Sequence, residues 1–413
     1  MSYNNGRYSI KVIFIQRDTR DLCIFLEYTL LLMNHDFNQE ALDLHREHKG
    51  KLGVVSKVPL STREDLSRAY TPGVGQVVKE IARDPSLARE YTLKRNTVAI
   101  ISDGSAILGL GNLGALAAIP VMEGKAVILK EFAGVDAFPI CLDTQDTEEI
   151  IKAVKQLAPV FGAINLEDIA APRCFEIEER LRAELSIPIM HDDQWGTATV
   201  VLAGLINALK VTSRGEGKDV KIVVNGVGSA GVAISRLLLA YGFTNILFCD
   251  SKGIIHEGRN DLTKEKLELI SKSTSKGKDG LLADAVMGAD VFIGVSKAGA
   301  LTKEMAMSMN KESIVFALAN PIPEIMPEVA KEAGVVVIAT GRSDFPNQLN
   351  NSLVFPGLFK GVLEKNIKQF DISMFTTAAL ALASHVNTPT KEMILPNMFD
   401  KELVEVIAGS VRI

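Results

Sequence analysis

Two pairs of acidic residues each follow a short apolar run that is typical of a β-strand. Glu167 and Asp168 end one of these runs, and Asp192 and Asp193 follow the other after His191. Side chains at the carboxyl ends of strands lie at the edge of the sheet where α/β proteins bind their ligands. A set of carboxylates without cysteine suits Mg²⁺ or Mn²⁺ rather than zinc. The two pairs together therefore predict a divalent-cation site, whereas either pair alone would more often be solvated loop acids or helix caps.

A glycine-rich loop between a predicted strand and a predicted helix indicates a dinucleotide site. Its glycines allow a tight turn and close approach of a pyrophosphate, which binds at the helix N-terminus. Asp250 ends the next strand and can accept a hydrogen bond from the ribose 2′-hydroxyl of NAD, whereas Lys252 can meet the 2′-phosphate of NADP. The choice between NAD and NADP therefore stays open. The cofactor-binding residues that this pattern predicts are Gly226, Gly228, Ser229, Ala230, Gly231, Asp250 and Lys252.

A second glycine run, residues 109–114, has the same GxGxxG spacing. The strand before it is short, Pro120 interrupts the helix after it, and Glu131 does not end a strand. We therefore interpret this run as a structural turn beside the active site and not as a second nucleotide loop.

The size and charge of the chain favour a two-domain enzyme that acts on a small molecule. Its 413 residues exceed the roughly 250–300 at which single cores stop growing. The formal charge of −5 gives no sign of a nucleic-acid surface, and the four cysteines form neither a CxxC pair nor a Cys/His metal spacing. The apolar run of residues 22–33 is too short for a transmembrane helix and lacks a signal-peptide cleavage site. These features predict a cytoplasmic protein with neither a membrane nor a nucleic-acid partner.

The order of the predicted elements is that of an α/β protein with two domains. Residues 1–35 carry no motif and are interpreted as an extension outside the core, with translation starting at Met33. Residues 36–190 are expected to form an N-terminal α/β substrate and catalytic domain, and residues 191–413 a Rossmann-like, doubly wound NAD(P)-binding domain with C-terminal helices. In the first domain a helix is predicted over 36–46 and a second one after a Ser61–Glu64 capping box, followed by strands at 97–102, 126–129 and 138–142 and a helix at 148–157. In the second, strands are predicted at 220–225, 246–249, 291–295, 314–317 and 335–338, a helix at 230–241, a surface loop at 271–280, and helices after Pro356.

Six segments resemble those of the malic enzymes, in the same order, and they span residues 40–365. The resemblance rests on Ala69-Tyr-Thr-Pro-Gly-Val74, Ser102-Asp-Gly-Ser105 with Gly109-Leu-Gly111, Asn165-Leu-Glu-Asp168, His191-Asp-Asp-Gln194 with Gly196-Thr197, Ala317-Leu-Ala-Asn-Pro321, and Asn350-Asn351 with Phe355-Pro-Gly357. In length the chain resembles the short prokaryotic-type members, which lack the phosphotransacetylase-like domain that some relatives append.

The resemblance implies oxidative decarboxylation of (S)-malate to pyruvate and CO₂ with reduction of NAD or NADP, dependence on Mg²⁺ or Mn²⁺, oxaloacetate decarboxylation, and a homodimer or higher homo-oligomer. It implies Tyr70 as the general acid and Lys125 as the general base, with a lysine pKa lowered near the metal. The implied metal ligands are Glu167, Asp168 and Asp193, with Asp192 assisting catalysis beside them. The implied substrate contacts are Asn320, Asn350 and Asn351, and Asn320 can also reach the nicotinamide.

Two departures from the family pattern qualify this expectation. Ala106 stands where the long animal-type enzymes carry an arginine, so another group must hold the second carboxylate of malate. Trp195 stands where a smaller polar residue is usual and is expected to change the shape of the metal site, while His191 orients the aspartates without binding the metal. The alternatives are a malolactic-type enzyme that releases lactate and a dinucleotide sensor that has lost catalysis. Retention of the acid, the base and the metal residues argues against the sensor.

Overall fold

The computed structural model describes residues 36–214, 219–274 and 279–412. The predicted extension over 1–35 and the predicted translation start at Met33 lie outside these residues. The chain divides into two units, residues 1–51 and 52–413. In the first unit the described residues form α1 (Phe37–His48), as predicted. The Asp36 carboxylate caps this helix by accepting hydrogen bonds from the backbone N–H groups of Asn38 and Gln39.

The second unit begins with short helices. These are α2 (Arg63–Ala69), α3 (Val74–Arg83) and α4 (Ala88–Tyr91), with 3₁₀ turns at Pro85–Leu87 and Leu93–Asn96. The predicted capping box is present one residue later than expected. Thr62 accepts the N–H of Asp65, and the Asp65 carboxylate accepts the N–H groups of both Ser61 and Thr62, so it is Thr62 that takes the cap position.

The first sheet has four parallel strands in the order β2-β1-β3-β4. The strands are β1 (Thr97–Ser102), β2 (Asp136–Cys141), β3 (Ala163–Leu166) and β4 (Ile189–His191). They are connected through a 3₁₀ turn (Ile107–Gly109), α5 (Ala115–Ala133), α6 (Thr147–Leu157) and α7 (Arg173–Glu184). The strands predicted at 97–102 and 138–142 and the helix at 148–157 are confirmed.

The strand predicted at 126–129 is wrong, because these residues lie inside α5. Met122, Ala126, Leu129 and Ala133 are buried at the three- and four-residue spacing of one helix face, a pattern that a run of four apolar residues does not reveal. The helix also continues through Pro120, so the predicted early interruption is wrong as well.

The second sheet has six strands in the order β10-β9-β8-β5-β6-β7, all parallel except the β6–β7 pair. It follows α8 (Asp192–Val211) and contains β5 (Ile222–Asn225), β6 (Ile246–Asp250), β7 (Gly253–Ile254), β8 (Val291–Gly294), β9 (Ile314–Ala317) and β10 (Val337–Thr340). Its helices are α9 (Ser229–Tyr241), α10 (Lys264–Lys272), α11 (Leu282–Val286), α12 (Lys303–Met307) and α13 (Pro327–Glu332).

The chain ends in three helices after a 3₁₀ turn at Asn351–Leu353. These are α14 (Phe355–Glu364), α15 (Ile372–Ser384) and α16 (Leu403–Ser410). The predicted α/β architecture with a doubly wound second sheet and C-terminal helices is therefore confirmed. Of the loop predicted at 271–280, residues 275–278 lie outside the described part, and α10 runs as far as Lys272.

Alternate residues of each sheet pack on opposite faces. Val98 and Ile100 of β1 belong to the largest buried cluster, and Ala99 and Ile101 belong to a second one on the other face. Both sheets are thus covered on both sides, as parallel sheets require. Among the described helices, none combines the length and the apolar character needed to cross a lipid bilayer.

Candidate active site

The two predicted acidic pairs meet at the carboxyl edge of the first sheet. β3 and β4 are parallel neighbours with Leu166 opposite His191, so the residues that follow the two strands come together. One carboxylate oxygen from each of Glu167, Asp168 and Asp193 lies within 4.8 Å of the other two. The three predicted metal ligands therefore form one cluster in the structure.

Asp168 has the backbone and side-chain geometry of a ligand position. Its φ of +54° is in the left-handed region, which aspartate tolerates better than most residues. Its N–H donates to Asp193 Oδ2 at 2.8 Å, and its Oδ1 accepts the N–H of Leu108 at 3.4 Å. Its Oδ2 is buried and has no hydrogen-bond partner among the described residues. A buried acceptor without a partner is costly, and a cation would satisfy it.

Lys125 of α5 reaches the same cluster. Its Nζ lies 2.9 Å from Glu167 Oε1, forms an ion pair with Asp192, and stands 4.6 Å from the centroid of the Phe355 ring. Burial disfavours the charged amine, but the carboxylates of Asp192, Glu167 and Asp193 outweigh it and raise the pKa of Lys125. The expected lowering of this pKa was tied to a bound metal and stays a prediction; the carboxylates by themselves act in the opposite direction, because their charges are all negative.

The four carboxyl groups of the cluster have raised pKa values. Burial, the largest cause, raises the pKa values of Glu167, Asp168, Asp192 and Asp193, and repulsion from a neighbouring carboxylate raises each further. Asn165 holds Glu167 by donating from Nδ2 to Oε2 at 2.9 Å. The site therefore concentrates negative charge that a cation can neutralise.

Gly196 makes room for the Asp192 carboxylate at the start of α8. A Cβ at this position would lie 1.9 Å from Asp192 Oδ1 and 3.0 Å from the Cβ of Asn351. Asp192 and Asn351, two of the predicted residues, thus approach each other across this glycine. The Asn350 side chain contacts the backbone of its own turn: its Oδ1 accepts the N–H of Ser352 at 2.9 Å and caps the 3₁₀ turn.

The second glycine run forms the turn that was predicted. The Leu108 N–H donates to Asp168, as described above, and Gly109 adopts a φ of +75°. A Cβ on Gly109 would lie 2.7 Å from the carbonyl oxygen of Asn320, which is exposed in the loop after β9. This run therefore links the carboxylate cluster of Glu167, Asp168 and Asp193 to the loop that carries a predicted substrate residue.

Tyr70 is the one predicted catalytic residue that the structure does not bring to the cluster. It follows α2 and is 67% exposed. Among the described residues, no hydrogen bond or ion pair joins its phenol to Lys125 or to the four acids.

Trp195 and His191 have separate surroundings. The Trp195 ring stacks on Phe375 with centroids 4.8 Å apart, and its Nε1 donates to Glu178 Oε2 at 3.2 Å. Its ring thus packs in the core, and the expectation that Trp195 changes the shape of the metal site stays a prediction. The His191 ring is fully buried, which lowers its pKa to about 3, and its Nδ1 lies 3.7 Å from Asp193 Oδ2.

The nucleotide loop lies at the crevice where the strand order reverses, between β5 and β8. A Cβ on Gly226 would lie 2.5 Å from the Val295 carbonyl oxygen, and one on Gly231 would lie 1.8 Å from the Gly226 carbonyl oxygen. A Cβ on Gly228 would meet open space, which leaves the loop backbone accessible. Ser229 and Ala230 begin α9, so the predicted loop, turn and helix start are all present.

Asp250 ends β6 as predicted, but its carboxylate is already engaged. Arg259 donates to both of its oxygens, at 2.9 and 2.8 Å, and Lys266 Nζ donates at 2.7 Å. The N–H of Lys252 donates at 2.9 Å, while the Lys252 ammonium pairs with Asp261 at 2.8 Å. These contacts hold the pKa of Asp250 down at about 2, against the effect of its burial.

Several site residues were not predicted from the sequence. Arg259 and Lys266 follow β6 with no motif spacing, and Glu178 lies in the middle of an ordinary helical pattern. Phe355 and Gly196 stand within the quoted family segments, which could have pointed to them.

Two family models match successive parts of the chain. The family description "Malic enzyme, N-terminal domain" matches residues 49–182 and "Malic enzyme, NAD binding domain" matches residues 195–411. A bifunctional malic/malolactic enzyme of Bacillus subtilis is 52% identical over 376 residues, which are 90% of this chain and 92% of that protein. An NAD-dependent malic enzyme of Geobacillus stearothermophilus is 53% identical over 88% of this chain and 76% of its own length.

The similarity extends to solved structures and to longer relatives. The crystal structure of an NAD-dependent malic enzyme from Thermotoga maritima superposes with a TM-score of 0.86 at 47% identity and covers 90% of this chain and 98% of that one. An NADP-dependent malic enzyme of Escherichia coli is 42% identical over 92% of this chain, which spans about half of that protein. The chain belongs to the malic enzyme family.

Proposed function

We propose that this chain oxidises and decarboxylates malate to pyruvate and CO₂, with NAD or NADP as the hydride acceptor and Mg²⁺ or Mn²⁺ as the metal. The observation that carries the proposal is the cluster of Glu167, Asp168 and Asp193 with Lys125 at the edge of the first sheet. The family membership and the glycine loop at the second sheet support the reaction class and the nucleotide.

The residues present fit a hard divalent cation. Three carboxylates in close proximity, one with a buried oxygen that lacks a partner, are oxygen donors of the kind that Mg²⁺ and Mn²⁺ prefer. When bound, such a cation would supply Lewis-acid polarisation of the C2 oxygen of malate. Glu167, Asp168 and Asp193 would hold it, and neutralisation of their charge would lower the pKa of Lys125 toward the range of a useful base.

Proton balance explains why the site needs both a base and an acid. Conversion of the malate dianion and the oxidised nucleotide to pyruvate, CO₂ and the reduced nucleotide releases no net proton. One proton must leave the C2 hydroxyl, and one must arrive at C3. We assign the first transfer to Lys125 Nζ, whose charged form is stabilised by Asp192 and the Phe355 ring.

We assign the second transfer to the Tyr70 phenol, on the basis of its family segment. A general acid must come within hydrogen-bond reach of the atom that it protonates. The exposed position of Tyr70 means that this reach has to arise when the enzyme closes on substrate or assembles. We further propose a homo-oligomer, supported by large apolar side chains exposed on the second unit, among them Val54, Val55, Val58, Leu60 and Leu116.

For the substrate and nicotinamide contacts we propose Asn351 and Asn320. Asn351 lies across Gly196 from Asp192, and Asn320 lies against Gly109 of the turn that also contacts Asp168. Asn350 contributes by fixing the turn that presents Asn351.

We propose that both nucleotides are accepted. All four hydrogen-bonding positions of the Asp250 carboxylate are taken by Arg259, Lys266 and the Lys252 N–H, so a ribose 2′-hydroxyl has to compete with charged donors. Arg259 and Lys266 are the cations at this position, and a 2′-phosphate would compete with Asp250 and Asp261 for their donors. The cluster therefore does not favour NAD in the way that an unpaired aspartate would.

The second candidate function is a malolactic-type conversion of malate to lactate. It is favoured by the 52% identity to the B. subtilis relative that is named as a bifunctional malic/malolactic enzyme. In that reaction the reduced nucleotide is consumed again in place, so no NADH or NADPH accumulates.

One assay separates these candidates. The purified full chain is incubated with malate, each nucleotide and each metal, and the absorbance of the reduced nicotinamide is followed together with pyruvate and lactate. Pyruvate formed in equal amount to NADH or NADPH supports the proposal, as does oxaloacetate decarboxylation without nucleotide. Lactate without reduced nucleotide, or no turnover with either metal, refutes it.

A further inference from the structure

We propose that Glu178, which is outside the predicted catalytic set, is a positioning residue for the divalent-cation site. This inference rests on the proposed metal-dependent function. Glu178 lies in α7 and is only 5% exposed. It touches neither the metal cluster nor Lys125 through any hydrogen bond or ion pair of the described residues; it acts on the start of α8, from which Asp192 and Asp193 project.

The Glu178 carboxylate caps α8 from a neighbouring helix. Its Oε1 accepts the backbone N–H of His191 at 3.1 Å, and its Oε2 accepts Gln194 Nε2 at 3.1 Å and Trp195 Nε1 at 3.2 Å. His191 holds the N-cap position of α8, but its own side chain makes no cap hydrogen bond. A negative charge at a helix N-terminus is also stabilised by the helix dipole.

The three donors lie on one face of the first turn. Positions 191, 194 and 195 are separated by three and four residues, so they stack on the same side of the helix. Asp192 and Asp193 occupy the intervening positions and reach Lys125 and the Asp168 N–H instead. Glu178 therefore holds the face that the two aspartates do not use, and this fixes the rotation of the turn about the helix axis.

A small rotation of this turn is large on the scale of a metal site. Side-chain ends lie about 5–6 Å from a helix axis, so a rotation of about 10° moves a carboxylate oxygen by about 1 Å. The Trp195 ring is also held by Phe375, but that stack fixes one side chain and does not involve the backbone N–H of His191. Only the Glu178 carboxylate, among these contacts, ties the backbone and two side chains together.

The experiment measures Mn²⁺ binding by the full chain without malate or nucleotide, by electron paramagnetic resonance of the free ion. The variant is Glu178→Gln, which keeps the shape but replaces one acceptor end with an amide NH₂ that faces an N–H donor. Loss of residues that orient metal ligands typically weakens metal affinity about 10- to 100-fold, and we expect the Mn²⁺ Kd of Glu178→Gln to rise about tenfold or more. The NAD and NADP Kd values should stay within about twofold of wild type.

Glu179→Gln is the matched control. Glu179 is the next residue of the same helix, is exposed, and pairs only loosely with Lys264 at 3.5 Å. Its removal should leave the Mn²⁺ Kd unchanged.

The outcomes separate this inference from the proposed function. A wild-type chain that binds no Mn²⁺ overturns both. Wild-type binding with a Glu178→Gln Kd within twofold of it overturns the positioning role alone, and so does an equal loss of Mn²⁺ and nucleotide affinity. If Glu178→Gln does not fold, Trp195→Phe removes one of the three donors and keeps the ring stack; a Mn²⁺ Kd raised about threefold supports the role, and an unchanged Kd overturns it.

Discussion

Replacing Gly196 by alanine should disable the site while leaving the fold intact. The new methyl group would lie 1.9 Å from Asp192 Oδ1 and 2.9 Å from its Cγ. Real carbon–oxygen contacts need about 3 Å or more, so the carboxylate has to move by roughly 1 Å. Asp192 is fully buried and its carboxylate is paired with Lys125, so we expect this movement to lengthen or break that ion pair.

The size of the effect follows from these distances. A misplacement of about 1 Å at a catalytic group costs about 10²-fold in rate, and we expect the kcat/KM for malate of Gly196→Ala to fall by about that factor. Alanine is a better helix former than glycine by about 1 kcal/mol, so the same change favours α8 itself. This gain offsets part of the steric cost of the added methyl, so the Tm should change much less than the activity, a pattern that general damage to the fold does not produce.

The assay compares kcat/KM for malate, the Kd of the nucleotide and the Tm of Gly196→Ala with those of wild type. Gly204→Ala is the control in the same helix, where the three atoms nearest to the added methyl would be the side-chain ends of Leu349, Ile394 and Phe316. We expect its activity to stay within about threefold of wild type, since these apolar neighbours are outside the site. A Gly196→Ala enzyme with more than half of the wild-type kcat/KM would refute the reasoning.

Four further results are expected. Lys125→Ala should suppress malate oxidation by 10²-fold or more while nucleotide binding, followed by fluorescence, changes little; equal loss of both would contradict its role as the base. Tyr70→Phe should slow pyruvate formation more than hydride transfer, as measured by rapid-mixing absorbance, and wild-type rates of both steps would remove Tyr70 from the mechanism. Arg259→Ala should lower kcat/KM for NADP about tenfold or more relative to NAD, because charge-assisted hydrogen bonds to a phosphate contribute about 1.5–3 kcal/mol. In EDTA the Tm should fall as the pH rises. The carboxyls of Glu167, Asp168 and Asp192 have folded pKa values of about 7 to 8, against 3.8–4.5 for free groups. Between these pH values the folded chain binds more protons than the unfolded chain, so it loses stability as the protons leave. A Tm in EDTA that rises or stays constant from about pH 5 to about pH 8 would contradict the raised pKa values.

The sequence predicted the parts of this site that depend on strand ends. Glu167, Asp168 and Asp193 follow short apolar runs, and parallel neighbouring strands bring their carboxyl ends to one edge, so proximity in the fold follows from position in the chain. Gly226 and Gly231 were also predictable, because the glycine pattern marks a tight turn and a Cβ on either would lie within 2.5 Å of a carbonyl oxygen.

The remaining contacts depend on packing between elements that are distant in sequence. Glu178 looks like one more polar residue of a helix, and its role appears only when α7 lies against the start of α8. Arg259 occupies no motif, yet it determines what Asp250 can bind. The strand at 126–129 was wrongly predicted because four apolar residues fit either a strand or one turn of a buried helix, and only packing with other elements distinguishes the two.

The charges of the cluster couple the proposed base, Lys125, to the proposed metal. If Glu167, Asp168, Asp192 and Asp193 are all ionised, the single ammonium of Lys125 leaves a net charge near −3, which raises the lysine pKa and makes it a poor base. Burial simultaneously raises the pKa values of the acids, so the site by itself tends to retain protons. The proposed divalent cation, held by three of the carboxylates, would reverse both tendencies, because it would displace protons from the acids and offset the negative charge that holds the lysine proton. Lys125 is therefore expected to become an effective base only in the state in which the substrate's C2 oxygen can be polarised, so that proton removal is confined to the complex ready to react.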